Sequence, residues 1–175
     1  SMTSLSAKER KEHWEHIYET KPLESVSWYQ PVPEISLSLI AELNPLKTAS
    51  IVDIGGGDSF LMEHLMQRGY QNLTVLDLSE VALERAKNRL KEKSQQINWI
   101  TADILEFDPK TPYDIWHDRA AFHFLTDPES VRHYREIAEK GLKIGGYLIA
   151  GTFALTGPTK CSGLPIQQYD TQSIQ

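Results

Sequence analysis

Between residues 50 and 153 short runs of β-branched and other apolar residues alternate with stretches whose apolar positions repeat at helical spacing. The runs predict strands at Ser50–Ile54, Leu73–Leu76, Ile97–Thr101, Tyr113–His117 and Tyr147–Phe153. Between them a helix is expected over Ser59–Arg68, where Phe60, Leu61, His64 and Leu65 share a face and Gly69 stops the helix. A second runs over 80–93, with Ser79 as N-cap and Ala82, Ala86 and Leu90 on its apolar stripe. Asp127-Pro128 opens a third as N-cap and first helical residue, with Val131, Tyr134, Ile137 and Ala138 on its buried side and Gly141 at its end. Lys143-Ile144-Gly145-Gly146 reads as a turn into the last strand.

Ahead of this alternation, residues 7–20 form a charged amphipathic pattern with Trp14, Ile17 and Tyr18 on one stripe, ended by Pro22. The aromatic segment Val26-Ser27-Trp28-Tyr29 follows, and a helix is predicted from about Pro33 to Leu43 with Asn44-Pro45 as its stop. The organisation expected is an N-terminal helical cap or lid over 1–46 and an α/β domain over 47–175. The aromatic residues of the first part either pack an accessory helix or cover a ligand. Strands alternating with helices call for a doubly wound, Rossmann-like parallel sheet with helices on both faces. Such sheets bind ligands at the carboxyl ends of their strands.

Composition narrows the class without naming a chemistry. With 175 residues, 40% hydrophobic and 24% charged, the chain has the makeup of one soluble domain. A formal net charge of -6 argues against nucleic acid as a partner. No apolar run approaches the ~18 residues of a membrane span. One cysteine, Cys161, excludes an intrachain disulfide framework, and the charged N-terminus has no signal-peptide core, which reads as cytoplasmic. Ser1 ahead of Met2 reads as a residue left by tag cleavage. No histidine pair has ligand spacing supported by a third ligand, so no metal is expected.

The candidate chemistry sits at the strand ends. Ile51-Val52-Asp53-Ile54-Gly55-Gly56-Gly57-Asp58-Ser59 is a strand, a tight glycine turn and a helix start, suited to an anionic or polar ligand end. Asp77 and Leu78 end the second strand, Asp103 and Ile104 follow the third, and His117, Asp118 and Arg119 close the fourth. A dinucleotide fingerprint needs Gly-x-Gly-x-x-Gly, and its third glycine is here Phe60, which disfavours a nicotinamide cofactor. Asp77 suits the two hydroxyls of a ribose in either case. Asp53 and Asp103 suit a cofactor that offers an ammonium group and an adenine amine.

With these residues in place the sequence resembles the class I S-adenosylmethionine-dependent methyltransferases over roughly 50–153. Val52–Ser59 looks like that family's first motif, Leu76-Asp77-Leu78-Ser79 like its ribose-binding strand end and Thr101-Ala102-Asp103-Ile104 like its adenine segment. Gly141–Leu148 is similar to its turn before strand five. Ile115–Ala121 resembles the thiopurine-methyltransferase-like and elongation-factor-lysine-methyltransferase-like branch. The resemblance implies S-adenosyl-L-methionine as cofactor and S-adenosyl-L-homocysteine as product. It implies that Asp53, Gly55, Gly56, Gly57, Asp77, Leu78, Asp103, Ile104 and His117 hold the cofactor, with Tyr18 and Trp28 covering it. Asp118, Arg119 and His123 fall beside the expected methyl group. There Asp118 orients a substrate amine or pairs with Arg119, and His123 takes a proton or lies on a helix face. Family members continue past strand five into a helix and two further strands, whereas this sequence ends at Gln175. The expected sheet therefore lacks its last two strands, with strand five as an edge open to self-association. The acceptor is a small molecule or a protein. The competing readings are a nicotinamide-dependent oxidoreductase and a non-catalytic S-adenosylmethionine-binding module.

Overall fold

The computed structural model describes residues 33–118 and 125–150. The expected helix over 7–20, Tyr18, Trp28, Arg119, His123, Cys161 and the end of the last strand lie outside the described residues. In chain order the elements are α1 (Glu34–Leu43), β1 (Ser50–Ile54), α2 (Leu61–Gln67), β2 (Asn72–Asp77), α3 (Glu80–Leu90), β3 (Ile97–Thr101), β4 (Tyr113–Asp118), α4 (Pro128–Gly141) and β5 (Leu142–Ala150). The five strands pair in parallel in the order β3-β2-β1-β4-β5. β4 lies on the side of β1 away from β2, so the winding direction reverses between β1 and β4. A crevice opens at such a reversal.

Local chemistry sets the element ends. Ser79 Oγ accepts from Ala82 N–H at 3.1 Å and Asp127 Oδ1 from Ser130 N–H at 2.8 Å, which caps α3 and α4 as the sequence predicts. Pro128 occupies the first turn of α4, where its missing N–H has no cost. α3 stops at Leu90 rather than 93 because Lys91 takes a positive φ of 56°, and a 3-10 turn over Lys91–Gln96 leads into β3. β5 begins at Leu142, earlier than expected. The Lys143–Gly146 turn is enclosed in the strand as an irregularity, with Tyr113 opposite Leu142 and Ile115 opposite Tyr147. Gly145, at φ 82°, turns the chain there.

Alternation along the strands feeds two cores. Ile51, Leu73, Val75, Ile97 and Ile115 pack against Leu37 and Ile40 of α1, Leu61 and Leu65 of α2 and Leu83 of α3. Val52, Ile54, Leu76, Trp116 and Leu148 pack on the other face against Tyr134, Ile137 and Ala138 of α4. Each such fully buried aliphatic side chain contributes about 1.5–3 kcal/mol. α4 lies close on β4 because its last residue is glycine. A Cβ at Gly141 would meet the Trp116 ring at 2.4 Å. Among the described residues no helix is long and apolar enough to cross a membrane.

Candidate cofactor site

Parallel register brings the strand ends level. Ile54 pairs with Leu76 on one side and Asp118 on the other, and Asp77 pairs with Thr101. Asp53, Asp58, Asp77, Asp103, His117 and Asp118 are all buried there. That concentration of polar groups in an interior is what a ligand site needs and a merely structural edge does not.

The glycine turn runs directly over the carboxylates. A Cβ at Gly56 would lie 2.2 Å from Asp53 Oδ2, and one at Gly57 would lie 2.6 Å from Ala82 Cβ and 2.8 Å from Asp77 Oδ2. Gly55 has a φ of 72°. The sequence suits this turn to an anionic or polar ligand end, and four of its N–H groups are engaged within the protein. Gly55 N–H donates to Leu76 O at 2.7 Å, Gly57 N–H to Asp77 Oδ2 at 2.8 Å, Ser59 N–H to Gly56 O at 3.0 Å and Leu61 N–H to Ser59 Oγ at 3.0 Å. These four donors are spent internally, and the glycines leave room beside the carboxylates.

Among the described residues the buried side-chain atoms left without a partner are both carboxylate oxygens. Asp53 Oδ1 accepts from His117 Nδ1 at 2.8 Å, while the buried Oδ2 has no hydrogen-bond partner. Asp58 Oδ2 accepts from Arg85 at 3.2 Å, while the buried Oδ1 has none. Burial raises the Asp58 pKa against the pull of Arg85 and Arg89. Asp77 accepts from Ser79 N–H and Gly57 N–H, each at 2.8 Å. Burial outweighs those two bonds and, with the charges of Asp58 and Asp53 adding to it, raises the Asp77 pKa to about 7. A ligand that brings positive charge and hydroxyl donors relieves all three groups. A sulfonium, an α-ammonium and a ribose diol meet that need, and a pyrophosphate does not.

The other expected residues divide clearly. Asp103 Oδ1 caps the 3-10 turn at Ile104–Glu106 by accepting from Leu105 N–H at 2.9 Å. Ile104 is buried beside it and Leu78 is half-buried at the end of β2. His117 is 1% exposed and sits between Asp53 and Ser36, so it borders the site through Asp53 and not directly. Asp118, fully buried, accepts from Tyr134 Oη on the opposite sheet face, and Trp116 Nε1 donates to the same hydroxyl at 3.0 Å. The sequence reading did not single out Asp58 or Ser36 as site residues. Asp58 directly follows the glycines, which was signal enough. Ser36 has no local signal, because it is a serine on an ordinary amphipathic helix. Among the described residues no cluster of His, Cys, Asp or Glu is arranged to hold a metal ion.

The position of the third fingerprint glycine is filled by Phe60, whose ring lies under the Arg89 guanidinium at 4.3 Å. A side chain of that size is accommodated outside the turn, and the dinucleotide arrangement is absent.

Comparison with known proteins follows the same line. A methyltransferase-domain family model matches residues 51–146. The eEF1A lysine and N-terminal methyltransferase of Mus musculus is 27% identical over 142 residues, which cover 77% of this chain and 20% of that protein. The ubiquinone biosynthesis O-methyltransferase of Nitrosomonas europaea is 28% identical over 142 residues, covering 79% of this chain and 56% of its own length. Among solved structures, an S-adenosylmethionine-dependent methyltransferase from Clostridium acetobutylicum superposes with a TM-score of 0.61 at 21% identity, over 79% of this chain and 56% of that one. The glycopeptide N-methyltransferase MtfA bound to S-adenosylmethionine superposes with a TM-score of 0.57 at 15% identity, over 66% of this chain and 52% of that one. The structural matches establish the fold. The chain spans between a fifth and just over half of these two curated relatives.

Proposed function

The chain belongs to the methyltransferase-domain family of class I S-adenosylmethionine-dependent enzymes, and we propose that it binds that cofactor at the β1–β2 edge and serves methyl transfer to a nucleophile on a small molecule or a protein. The observation that carries this reading is the pair of buried, unpartnered carboxylate oxygens, Asp53 Oδ2 and Asp58 Oδ1, beside a glycine turn that leaves room for a ligand. When bound, the cofactor supplies an activated methyl on sulfur. Asp53 Oδ2 accepts from the α-ammonium, and Gly56 leaves the space through which it does so. Asp77 keeps a lone pair on each oxygen beyond the two backbone bonds and accepts from the ribose hydroxyls. Asp103 and Ile104 border the adenine. Asp58 completes a negative rim that draws the cationic form into a dry site.

The acceptor side belongs to the segment that begins at the end of β4. Asp118 is held by Tyr134 and acts as a positioning residue, and Arg119 and His123, which lie outside the described residues, stay as candidates from the sequence alone. The curated relatives methylate, by their names, lysine and N-terminal amines of eEF1A or a hydroxyl in ubiquinone synthesis, so both acceptor classes belong in a first screen. The cofactor half is tested by thermal unfolding with S-adenosylhomocysteine and, in parallel, with NAD. A ligand at a hundred times its Kd adds about 2.7 kcal/mol. Stabilisation by S-adenosylhomocysteine alone is expected, and stabilisation by NAD alone would overturn the reading.

A further inference from the structure

Ser36, His117 and Asp53 form one buried line from α1 to the cofactor turn. Ser36 Oγ lies 2.7 Å from His117 Nε2, and His117 Nδ1 lies 2.8 Å from Asp53 Oδ1. The three residues are 7%, 1% and 1% exposed, so water reaches none of these bonds freely. An ionised carboxylate only accepts, so Nδ1 carries a hydrogen toward Asp53. Nε2 is then held by a hydroxyl that rotates to suit it. Both ring nitrogens are engaged, and the ring has no polar atom left for a ligand.

We infer that His117, anchored by Ser36, is a positioning residue that holds the Asp53 carboxylate with Oδ2 turned to Gly56, and so sets recognition of the amino-acid end of the cofactor as distinct from its nucleoside end. The inference rests on the cofactor assignment made above. Asp53 has one oxygen tied down at 2.8 Å and one unpartnered. Removing the tie frees the carboxylate to turn about its own bond, and Gly56 has no side chain to stop it. His117 pairs with Asp53 in the β1–β4 register, so the brace is built into the sheet. Ser36 extends it to α1, the described helix of the expected cap segment over 1–46.

The experiment is a calorimetric comparison of two ligands on the full chain. S-adenosylhomocysteine carries the amino-acid end and 5′-methylthioadenosine lacks it. His117→Gln removes the donor at the Nδ1 position, and His117→Asn keeps an amide N–H there. In His117→Gln the affinity for S-adenosylhomocysteine is expected to fall about tenfold or more, the loss of one charge-assisted bond. Affinity for 5′-methylthioadenosine is expected to change less than about twofold, with His117→Asn restoring most of the difference. Equal losses for both ligands in His117→Gln would mean a merely structural histidine and overturn the inference. Selective loss that Asn does not restore would also overturn it, because the Nδ1 donor would then not be the cause. If the unmutated chain binds neither ligand, the cofactor assignment itself fails, whereas equal binding of both shows that the amino-acid end adds no affinity and overturns the inference alone.

Discussion

Gly57 N–H donates to Asp77 Oδ2 at 2.8 Å, which joins the glycine turn after β1 to the end of β2 and makes the two ribose-side elements one unit. The bond survives only while Asp77 keeps an oxygen turned to the turn, and burial sets the Asp77 pKa at about 7. Hydroxyl donors prefer the ionised form. S-adenosylhomocysteine affinity should therefore climb with pH up to about 7 and level off above it. Asp77→Asn should bind at least ten times more weakly at pH 8, and its pH profile should be flat. A variant with the unmutated profile would remove Asp77 from the site.

The same group has an opposite effect on the empty protein. Its folded pKa of about 7 lies above the unfolded value near ~3.9, so the folded state keeps a proton that the unfolded chain releases. That stabilisation is complete below about 4 and is lost as pH rises through about 7. Melting of the ligand-free chain should show a decline across that window that is shallower in Asp77→Asn.

Three glycine-to-alanine changes separate space from backbone strain. At Gly57 the new methyl meets Ala82 Cβ at 2.6 Å, which cannot swing away, and overpacking of this kind costs about 1–3 kcal/mol along with cofactor binding. At Gly56 the clash is with the Asp53 carboxylate, so binding should be lost with little change in Tm. At Gly145, with no atom within 4 Å but a φ of 82°, roughly 1–2 kcal/mol of backbone cost and full binding are expected. Denaturant unfolding and calorimetry on the three variants check the order.

Much of this site was legible because topology does the gathering. Once the alternation of strands and helices implies a parallel sheet, Asp53, Asp77, Asp103 and Asp118 must meet at one edge whatever else they do. What the pattern does not carry is which face each side chain takes and what it meets there. Asp118, expected either to orient a substrate amine or to pair with Arg119, is sent by strand alternation to the α4 side, where Tyr134 holds it. Ser36 is 81 residues from His117, and nothing in the spacing of α1 distinguishes it from a surface serine. The internal bonds of Gly55 N–H and Gly57 N–H were equally invisible, since a backbone N–H has no residue identity.

On the α4 face, Tyr134 should prove a stability residue. Burial first, then the neighbouring Asp118 charge, pushes its phenol pKa well above the usual range, so it remains a donor. Tyr134→Phe removes the hydroxyl that donates to Asp118 and accepts from Trp116, and a loss of about 1–3 kcal/mol in urea unfolding is expected. Combining it with Asp118→Asn should cost less than the two changes added together. Strict additivity would mean that the two side chains do not act as a pair.

Ser79→Ala provides a control within the site's own neighbourhood. The variant loses the side-chain cap on Ala82 N–H, worth about 1 kcal/mol, but keeps the backbone N–H that Asp77 uses. Its Tm should fall while its affinity for S-adenosylhomocysteine holds.

Trp116, His117 and Asp118 are consecutive, and they point to opposite faces of the sheet in turn. The end of β4 therefore works as a key with teeth on both sides. A slip of one residue would push the imidazole into the aromatic layer under α4 and offer the indole to Asp53, with neither polar group matched. Parallel strands are recruited late and across long connections, when many alignments compete. For β4 the correct alignment is marked by two unrelated polar fits that must be met together, so the chain is steered to a single register by the residues that equip the crevice.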